Sequence, residues 1–168
     1  MGQLMSPCSN EQSTSRRALI RYAHANDAHD AFLDRNVEFL ELLAAYRGSG
    51  GLARSHEVLA SMRNKNELTT EQLARWIVER QMISFDWQDQ TWFPWFQFDR
   101  EAGRPSPLIG EIVQVLCPFL DGWQVACWFV RPNAEVDHHV PLDEIGCQPL
   151  KVLAAARTSR MSYYNSGE

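Results

Sequence analysis

One stretch between two proline-containing turns constrains this chain more than any other part of its sequence. It reads Asp121-Gly-Trp-Gln-Val-Ala-Cys-Trp-Phe-Val-Arg-Pro-Asn133 and continues to Pro141-Leu-Asp-Glu-Ile145. Asp121 is a favourable N-cap, because its carboxylate accepts free amide hydrogens of the first helical turn. Arg131-Pro132 ends that helix, since a residue before proline is pushed out of the helical region. Pro141 suits the first position of the next helix, so the stretch predicts a buried helix, a fixed turn and a short helix.

The first of these two helices carries apolar side chains on most of its surface. Trp123, Ala126, Phe129 and Val130 recur at helical spacing and so share one face. Val125 and Trp128 widen that face until little polar surface is left. We therefore predict that Trp128 is buried, between a helix at 108–117 and the last helix of the chain.

The same stretch resembles a known family. The order W-F-x-x-P-N, an apolar residue and P-L-D-x-[IL] is similar to the toxin-binding domain of antitoxins of the Xre, MbcA and ParS type, from about Phe96 to Arg157. The resemblance implies a homodimer that covers the active site of a RES-domain toxin, an NAD-consuming enzyme encoded beside it. It also implies, in many members, an N-terminal helix-turn-helix that represses the operon. The matching positions are Trp128, Phe129, Pro132, Asn133, Pro141 and Leu142.

The turn between the two motif halves departs from the family pattern. The family commonly has glycine at the two positions after the apolar residue, whereas here Val136 is followed by Asp137, His138 and His139. The matching residues are of types that shape and support the helix-turn-helix unit. We therefore expect the contacts with a partner to come from the exposed turn at 134–140 and from the tail. His138 and His139 are therefore candidate partner-binding residues, and solvated turn residues are the alternative.

Composition and motifs exclude several classes of function. A net charge of −5 argues against a general polyanion binder, and no apolar run approaches the length of a membrane span. Four cysteines without C-x-x-C spacing are typical of a reduced, cytoplasmic protein. Adjacent histidines near Cys147 lack a fourth metal ligand, and no phosphate-loop, dinucleotide or nucleophile motif occurs. We expect no enzyme activity, no metal and no cofactor.

The middle of the chain has the order of a winged helix-turn-helix, namely two helices and a hairpin at about 82–98. Thr69-x-x-Gln72 is a capping box at the start of the second helix. Ile83, Phe85 and Trp87 alternate with polar residues, and Pro94 predicts that the returning strand lies at an edge or carries a bulge. The candidate DNA contacts are Arg54, Gln72, Arg75 and Arg80. Acidic residues nearly balance the basic ones, so a structural remnant of a DNA-binding domain is the competing interpretation.

The tryptophans have two interpretations. All six fall between residues 76 and 128, a density that is also seen in stacking platforms for bases or sugars. Interleaved basic residues are missing, so the pattern favours a hydrophobic core.

We predict a mainly helical fold with one β-hairpin and no other sheet. Its divisions are a mobile N-terminus with an amphipathic helix (1–48), the helix-turn-helix-like segment (49–100) and the antitoxin-like helical domain (101–168). The helix between 16 and 46, with Ala28, Phe32, Phe39, Leu43 and Tyr46 on one stripe, serves packing or dimerisation. Three functions remain open: an antitoxin-like binding protein, a DNA-binding regulator without a toxin, and a structural adaptor.

Overall fold

Helices make up most of the described chain, which in the computed structural model comprises residues 33–62, 68–99 and 101–165, with side chains up to residue 161. This confirms the mainly helical fold. The chain divides into two units, residues 1–40 and 41–168. Residues 33–46 form helix α1, and Ala28 and Phe32 of the predicted N-terminal stripe lie outside the described residues. The predicted division into segments at 48 and 100 stays a prediction.

The remaining elements all lie in the second unit. In chain order they are β1 (Leu52–Arg54), α2 (Ser55–Met62), α3 (Thr70–Val78), β2 (Phe85–Trp87), β3 (Gln90–Pro94), β4 (Phe98–Asp99), β5 (Arg104–Pro105), α4 (Pro107–Leu116), α5 (Gly122–Val130), α6 (Pro141–Glu144) and α7 (Pro149–Asn165). None of the helices within the described ranges is long and apolar enough to cross a membrane.

Local capping sets where helices α2 and α3 begin. The Thr69 hydroxyl accepts the backbone N–H of Gln72 at 3.2 Å, which is one of the two hydrogen bonds of the capping box predicted for α3. Helix α2 begins at Ser55, and the Glu57 carboxylate in its first turn accepts the backbone N–H of Arg54 at 2.7 Å. Hydrogen bonds from Arg54 also hold the pKa of Glu57 below its ordinary value.

The hairpin is confirmed, but the expectation of no other sheet is wrong. Strands β2 and β3 pair antiparallel, and β1 adds to the other side of β3 to give the order β1-β3-β2. Strands β4 and β5 form a second, two-stranded sheet. Strands of two or three residues are too short to show alternation in a sequence. The hairpin turn is Gln88-Asp89, and both residues have positive φ (47° and 57°).

Pro94 lies in the central strand of its sheet, so the predicted edge placement of this strand is wrong. Pro94 pairs with Leu52 of β1, whereas β2 covers β3 only from Gln90 to Trp92. The missing N–H of proline therefore falls where β3 has left its β2 partner. A proline is tolerated in a central strand when one flank of the sheet stops short of it.

Two hydrophobic cores meet at the link between α3 and β2. The first core contains Ala53, Val58, Met62, Leu68, Leu73, Trp76, Met82, Phe93 and Phe98. The second contains buried residues of α4, α5 and α7, among them Ile109, Ile112, Val113, Leu116, Trp123, Val125, Ala126, Phe129, Val152, Leu153, Ala155 and Ala156. Arg80, a candidate DNA contact, is exposed. It follows the C-cap of α3 and has a left-handed conformation (φ 54°).

The linking segment, residues 81–85, is held by its backbone. The fully buried carboxamide of Gln97 donates to the Ile83 carbonyl at 2.9 Å and accepts the Ile83 N–H at 2.6 Å. Helices α4 and α5 approach the same segment closely through Gly110 and Gly122. A β-carbon on Gly122 would lie 1.9 Å from the Ser84 carbonyl oxygen.

The aromatic residues support the core interpretation. Trp76 and Trp123 are buried, the other four tryptophans are half-buried, and Phe85 meets Trp123 edge to face at 5.2 Å. Tyr46 is also buried and donates from its hydroxyl to the Ala126 carbonyl at 2.7 Å. Burial raises the pKa of Tyr46 well above its ordinary value.

Gly122→Ala tests the backbone contact between α5 and the linking segment. We expect a loss of about 3 kcal/mol or more in the free energy of unfolding, because the new methyl group overlaps a backbone oxygen. Gly146→Ala is the matched control, since its β-carbon meets nothing within 4 Å. Urea unfolding of the two variants gives the comparison, and equal stability would disprove the close approach.

Candidate partner-binding surface

The candidate site begins with helix α5, whose start is fixed as the sequence predicts. Asp121 accepts the Gln124 backbone N–H at 2.7 Å, and the Gln124 side chain accepts the Asp121 N–H at 2.9 Å. The helix ends at Val130, before Arg131-Pro132. Both ends of α5 are therefore determined by local chemistry.

The two aromatic motif residues differ in burial. Phe129 is fully buried and packs 5.4 Å from Phe96 and 5.1 Å from Trp128, measured between ring centroids. Trp128 is only half-buried, so the prediction of a buried Trp128 is wrong in degree. Its indole N–H donates to the Ser159 hydroxyl of α7 at 3.2 Å, which places the ring edge at the surface of that helix. The indole nitrogen of Trp128 thus has the polar partner that a tryptophan usually finds when its ring is partly buried.

The turn after Pro132 is a closed loop built on Asn133. The Asn133 side chain accepts the Glu135 N–H at 2.9 Å, and its backbone carbonyl accepts the N–H groups of Val136 and His138. Its own N–H donates to the His139 carbonyl at 3.0 Å, which closes residues 133–139. We call residues 133–140 the motif turn. Val136 fills the inside of the motif turn and is fully buried.

Two residues of the motif turn adopt the left-handed conformation. Asp137 has φ 55° and His138 has φ 62°. Residues with a β-carbon enter this region at a cost of about 1–2 kcal/mol each, whereas glycine enters it freely. These are the two positions where the resembling family commonly has glycine. The backbone conformation that glycine favours is therefore present here without glycine.

Side chains tie the motif turn to its neighbours. Lys151 of α7 donates to the Asp137 carboxylate, and this interaction lowers the pKa of Asp137. His139 Nδ1 lies 2.8 Å from a Glu144 carboxylate oxygen, and Glu144 also accepts from Gln148 at 2.7 Å. Sequence spacing gave no sign of the pair between Lys151 and Asp137, because 14 residues separate them.

The structure places the motif residues in two layers. Phe129 and Pro141 are buried, and Asn133 and Leu142 are half-buried. These four residues form the inner layer, which supports the motif turn. Pro132, His138 and His139 are exposed on it. Pro141 occupies the first position of α6, as predicted. The turn therefore presents both histidines on a hydrogen-bonded support.

The DNA-contact candidates have different surroundings. The Arg54 guanidinium lies 3.3 Å from Glu57 and 5.6 Å from the centre of the Trp92 ring, so it is already engaged. Arg75 and Gln72 are exposed on α3. Gln72 also lines a cleft of about 860 Å³ between α3, the link from β4 to β5 and the first half of α4.

Metal and thiol chemistry find little support within the described ranges. No group of three His, Cys, Asp or Glu side chains there is arranged to hold a metal ion. Cys117 is half-buried, and burial raises the pKa of its thiol, which disfavours the reactive thiolate.

No family model, curated protein or solved structure matches the chain.

His138→Gly tests the strain in the motif turn. Glycine relieves the left-handed conformation, and the greater freedom of glycine in the unfolded chain offsets part of the gain. We expect unfolding free energy to rise by about 0.5–1 kcal/mol. His139→Gly is the matched control, because residue 139 has no positive φ and loses its contact with Glu144. It should be destabilised, and a similar loss in His138→Gly would contradict the strain.

Proposed function

We propose that this chain is a non-catalytic, antitoxin-like protein that binds and neutralises a RES-type toxin. It acts as a homodimer and needs no cofactor. The motif turn and the tail that follows it provide the contacts with the toxin, and the motif residues of α5 and α6 hold the turn in place.

The observation that carries this proposal is the left-handed pair Asp137 and His138. A short motif of aromatic, proline and asparagine residues occurs by chance in many sequences. The two consecutive positive φ values, at the positions where the family commonly has glycine, are a property of the backbone and are separate from the match in residue types. They support a turn of the family's kind even though the glycines are absent.

The rigidity of the motif turn also favours a binding role. A binding surface performs best when its residues are held by packing and hydrogen bonds before the partner arrives. Val136 anchors the turn from inside, Asn133 bonds across it, and Lys151 and Glu144 hold its outer side chains. Backbone strain of this kind persists where the surrounding structure holds it, often at binding sites.

Binding to the neighbouring RES-type gene product tests the proposal. The variant His138→Ala/His139→Ala removes both exposed rings, and alanine accepts the left-handed conformation at 138 no better than histidine does. We expect binding of this variant to be about tenfold weaker or more, as for central interface residues. Gln114→Ala, an exposed change on α4, should bind as the wild type does. Failure of the wild type to bind or inhibit the toxin would overturn the proposal.

DNA binding by residues 52–94 is the second candidate function. The observation that favours it is the arrangement β1-α2-α3-β2-β3, since two helices followed by a hairpin are the order of a winged helix-turn-helix. Helix α3 would then be the reading helix, with Gln72 and Arg75 on its exposed side. The C-terminal toxin-binding role and operator binding are compatible in one chain.

The distribution of acidic and basic residues limits which parts of this segment can contact DNA. Residues 81–98 contain no lysine, arginine or histidine, and Asp86 and Asp89 are exposed on the hairpin. Acidic side chains repel phosphates. Glu71 and Glu79 are likewise exposed on α3. The hairpin is therefore unfavourable for DNA contact, and on α3 the exposed Arg75 would have to offset these two acids.

A gel shift on the DNA upstream of the gene tests this second candidate. We expect Arg75→Ala to weaken the shift about tenfold, because arginine pairs with bases or phosphates. The conservative hairpin change Asp89→Asn should leave it unchanged or strengthen it. Absence of any specific shift with the wild type would leave this segment a structural remnant. Absence of both toxin and DNA binding would favour the structural adaptor.

A further inference from the structure

Helix α1 is apolar on two opposite sides. Its inner side, which includes Leu42 and Tyr46, is buried. On its outer side three large apolar side chains remain exposed, namely Leu33 (48%), Val37 (56%) and Leu40 (64%). A single exposed leucine is ordinary in a folded protein. Three such residues in succession on one helix offer a continuous apolar surface, and its burial in an association is favourable.

The outer side has the spacing of a coiled-coil seam. Leu33, Val37, Leu40 and Ala44 follow one another at intervals of four, three and four residues, which is the alternation of the d and a positions of a heptad. Ala44 is exposed as well. At about 100° per residue the four side chains lie within about 60° of one another, and no charged residue of α1 falls inside this arc. We call these four residues the α1 seam.

The residue types of the α1 seam favour a pair of identical helices. In heptad terms Leu33 and Leu40 occupy d positions, and the β-branched Val37 occupies an a position. Leucine at d together with valine or isoleucine at a favours a parallel coiled coil of two strands. In such a pair each residue of the seam packs in one layer with its counterpart on the other helix. The occupant that this pattern specifies is therefore a second copy of the chain.

The charges beside the α1 seam distinguish the two directions in which a second helix could pack. The e positions are Asp34 and Glu41, and both are exposed acids. In an antiparallel pair e positions face each other, so Asp34 of one copy would repel Glu41 of the other. In a parallel pair e faces g, so Glu41 meets Asn36 of the other copy. A carboxamide donates hydrogen bonds to a carboxylate, so the flanking residues favour the parallel pair.

We infer that the α1 seam is a self-interface, through which two copies of this chain pair by parallel α1 helices. The inference rests on one part of the proposed function, the homodimer, and names the surface that forms it. The seam spans about two heptads, and small interfaces belong to weak or transient complexes. We therefore expect monomer and dimer to exchange, with the dimer fraction rising over the micromolar concentration range.

Light scattering of the full chain over a concentration series measures this self-association. Leu40→Glu places a carboxylate in the α1 seam, and Val78→Glu is the matched control on α3, where Val78 is 80% exposed. Both replaced side chains are exposed, so both variants should keep the wild-type melting temperature. We expect the dissociation constant of the dimer to rise at least about tenfold in Leu40→Glu and to stay unchanged in Val78→Glu.

Two further variants test the heptad register and the direction of packing. Ala44→Ile adds a β-branched side chain at the second a position, and we expect it to tighten the dimer about tenfold or more, since each copy buries additional apolar surface. Leu33→Cys places the two introduced thiols in one layer of a parallel pair, where an added oxidant joins them. In an antiparallel pair they lie about 16 Å apart along the helix, too far for a disulfide. Wild-type protein oxidised in the same way gives the background from the native cysteines.

The outcomes that contradict the inference differ from those that contradict toxin binding. If the wild type and Ala44→Ile both stay monomeric at every concentration, the α1 seam is no self-interface. If Leu40→Glu dimerises as the wild type does, another surface joins the two copies. If Leu33→Cys gives no cross-link above the background, the parallel arrangement is wrong. A wild type that dimerises through the seam but does not bind the RES-type protein supports the inference and overturns the antitoxin role.

Discussion

The pair of hydrogen bonds between the Gln97 carboxamide and the Ile83 backbone is the interaction on which the connection between the hairpin region and the helices α4, α5 and α7 depends. The carboxamide satisfies both polar groups of one residue, as a neighbouring strand would, inside a core that excludes water. Buried backbone groups without such partners are destabilising by about 1–3 kcal/mol each. The segment at 81–85 can therefore run between two cores without belonging to a regular sheet there. The Gln97 carbonyl in turn accepts from Ser106, just before α4, so one residue joins the hairpin region to the helical half.

Features governed by a few neighbouring residues could be predicted from the sequence. Asp121 and Thr69 cap their helices as expected, Arg131-Pro132 ends α5, and Pro141 opens the helix that follows. Each of these depends on side chains within about one helical turn. The hairpin also follows from the local alternation of apolar and polar residues at Ile83, Phe85 and Trp87.

Features that depend on distant partners could not be predicted. Strand β1 exists because β3 offers a free edge, and its three residues carry no alternation of their own. Pro94 fits a central strand because β2 is short, which is a property of the sheet rather than of the proline. The partial burial of Trp128 goes with a hydrogen bond from its indole to Ser159, 31 residues away. For the candidate site, the sequence placed both histidines on an exposed turn. The left-handed pair and the contact between Lys151 and Asp137 needed the structure.

The buried hydroxyl of Tyr46 has a consequence for behaviour in alkali. The neutral phenol donates to the Ala126 carbonyl, and the phenolate would be buried beside that oxygen without a proton to share. Burial raises the pKa of Tyr46 in the folded chain above the value in the unfolded chain, so the unfolded state releases this proton first. The contribution of Tyr46 to stability is therefore full below the ordinary tyrosine range and declines as the pH rises through it. In strong base, ionisation of Tyr46 therefore removes the hydrogen bond that joins the end of α1 to α5.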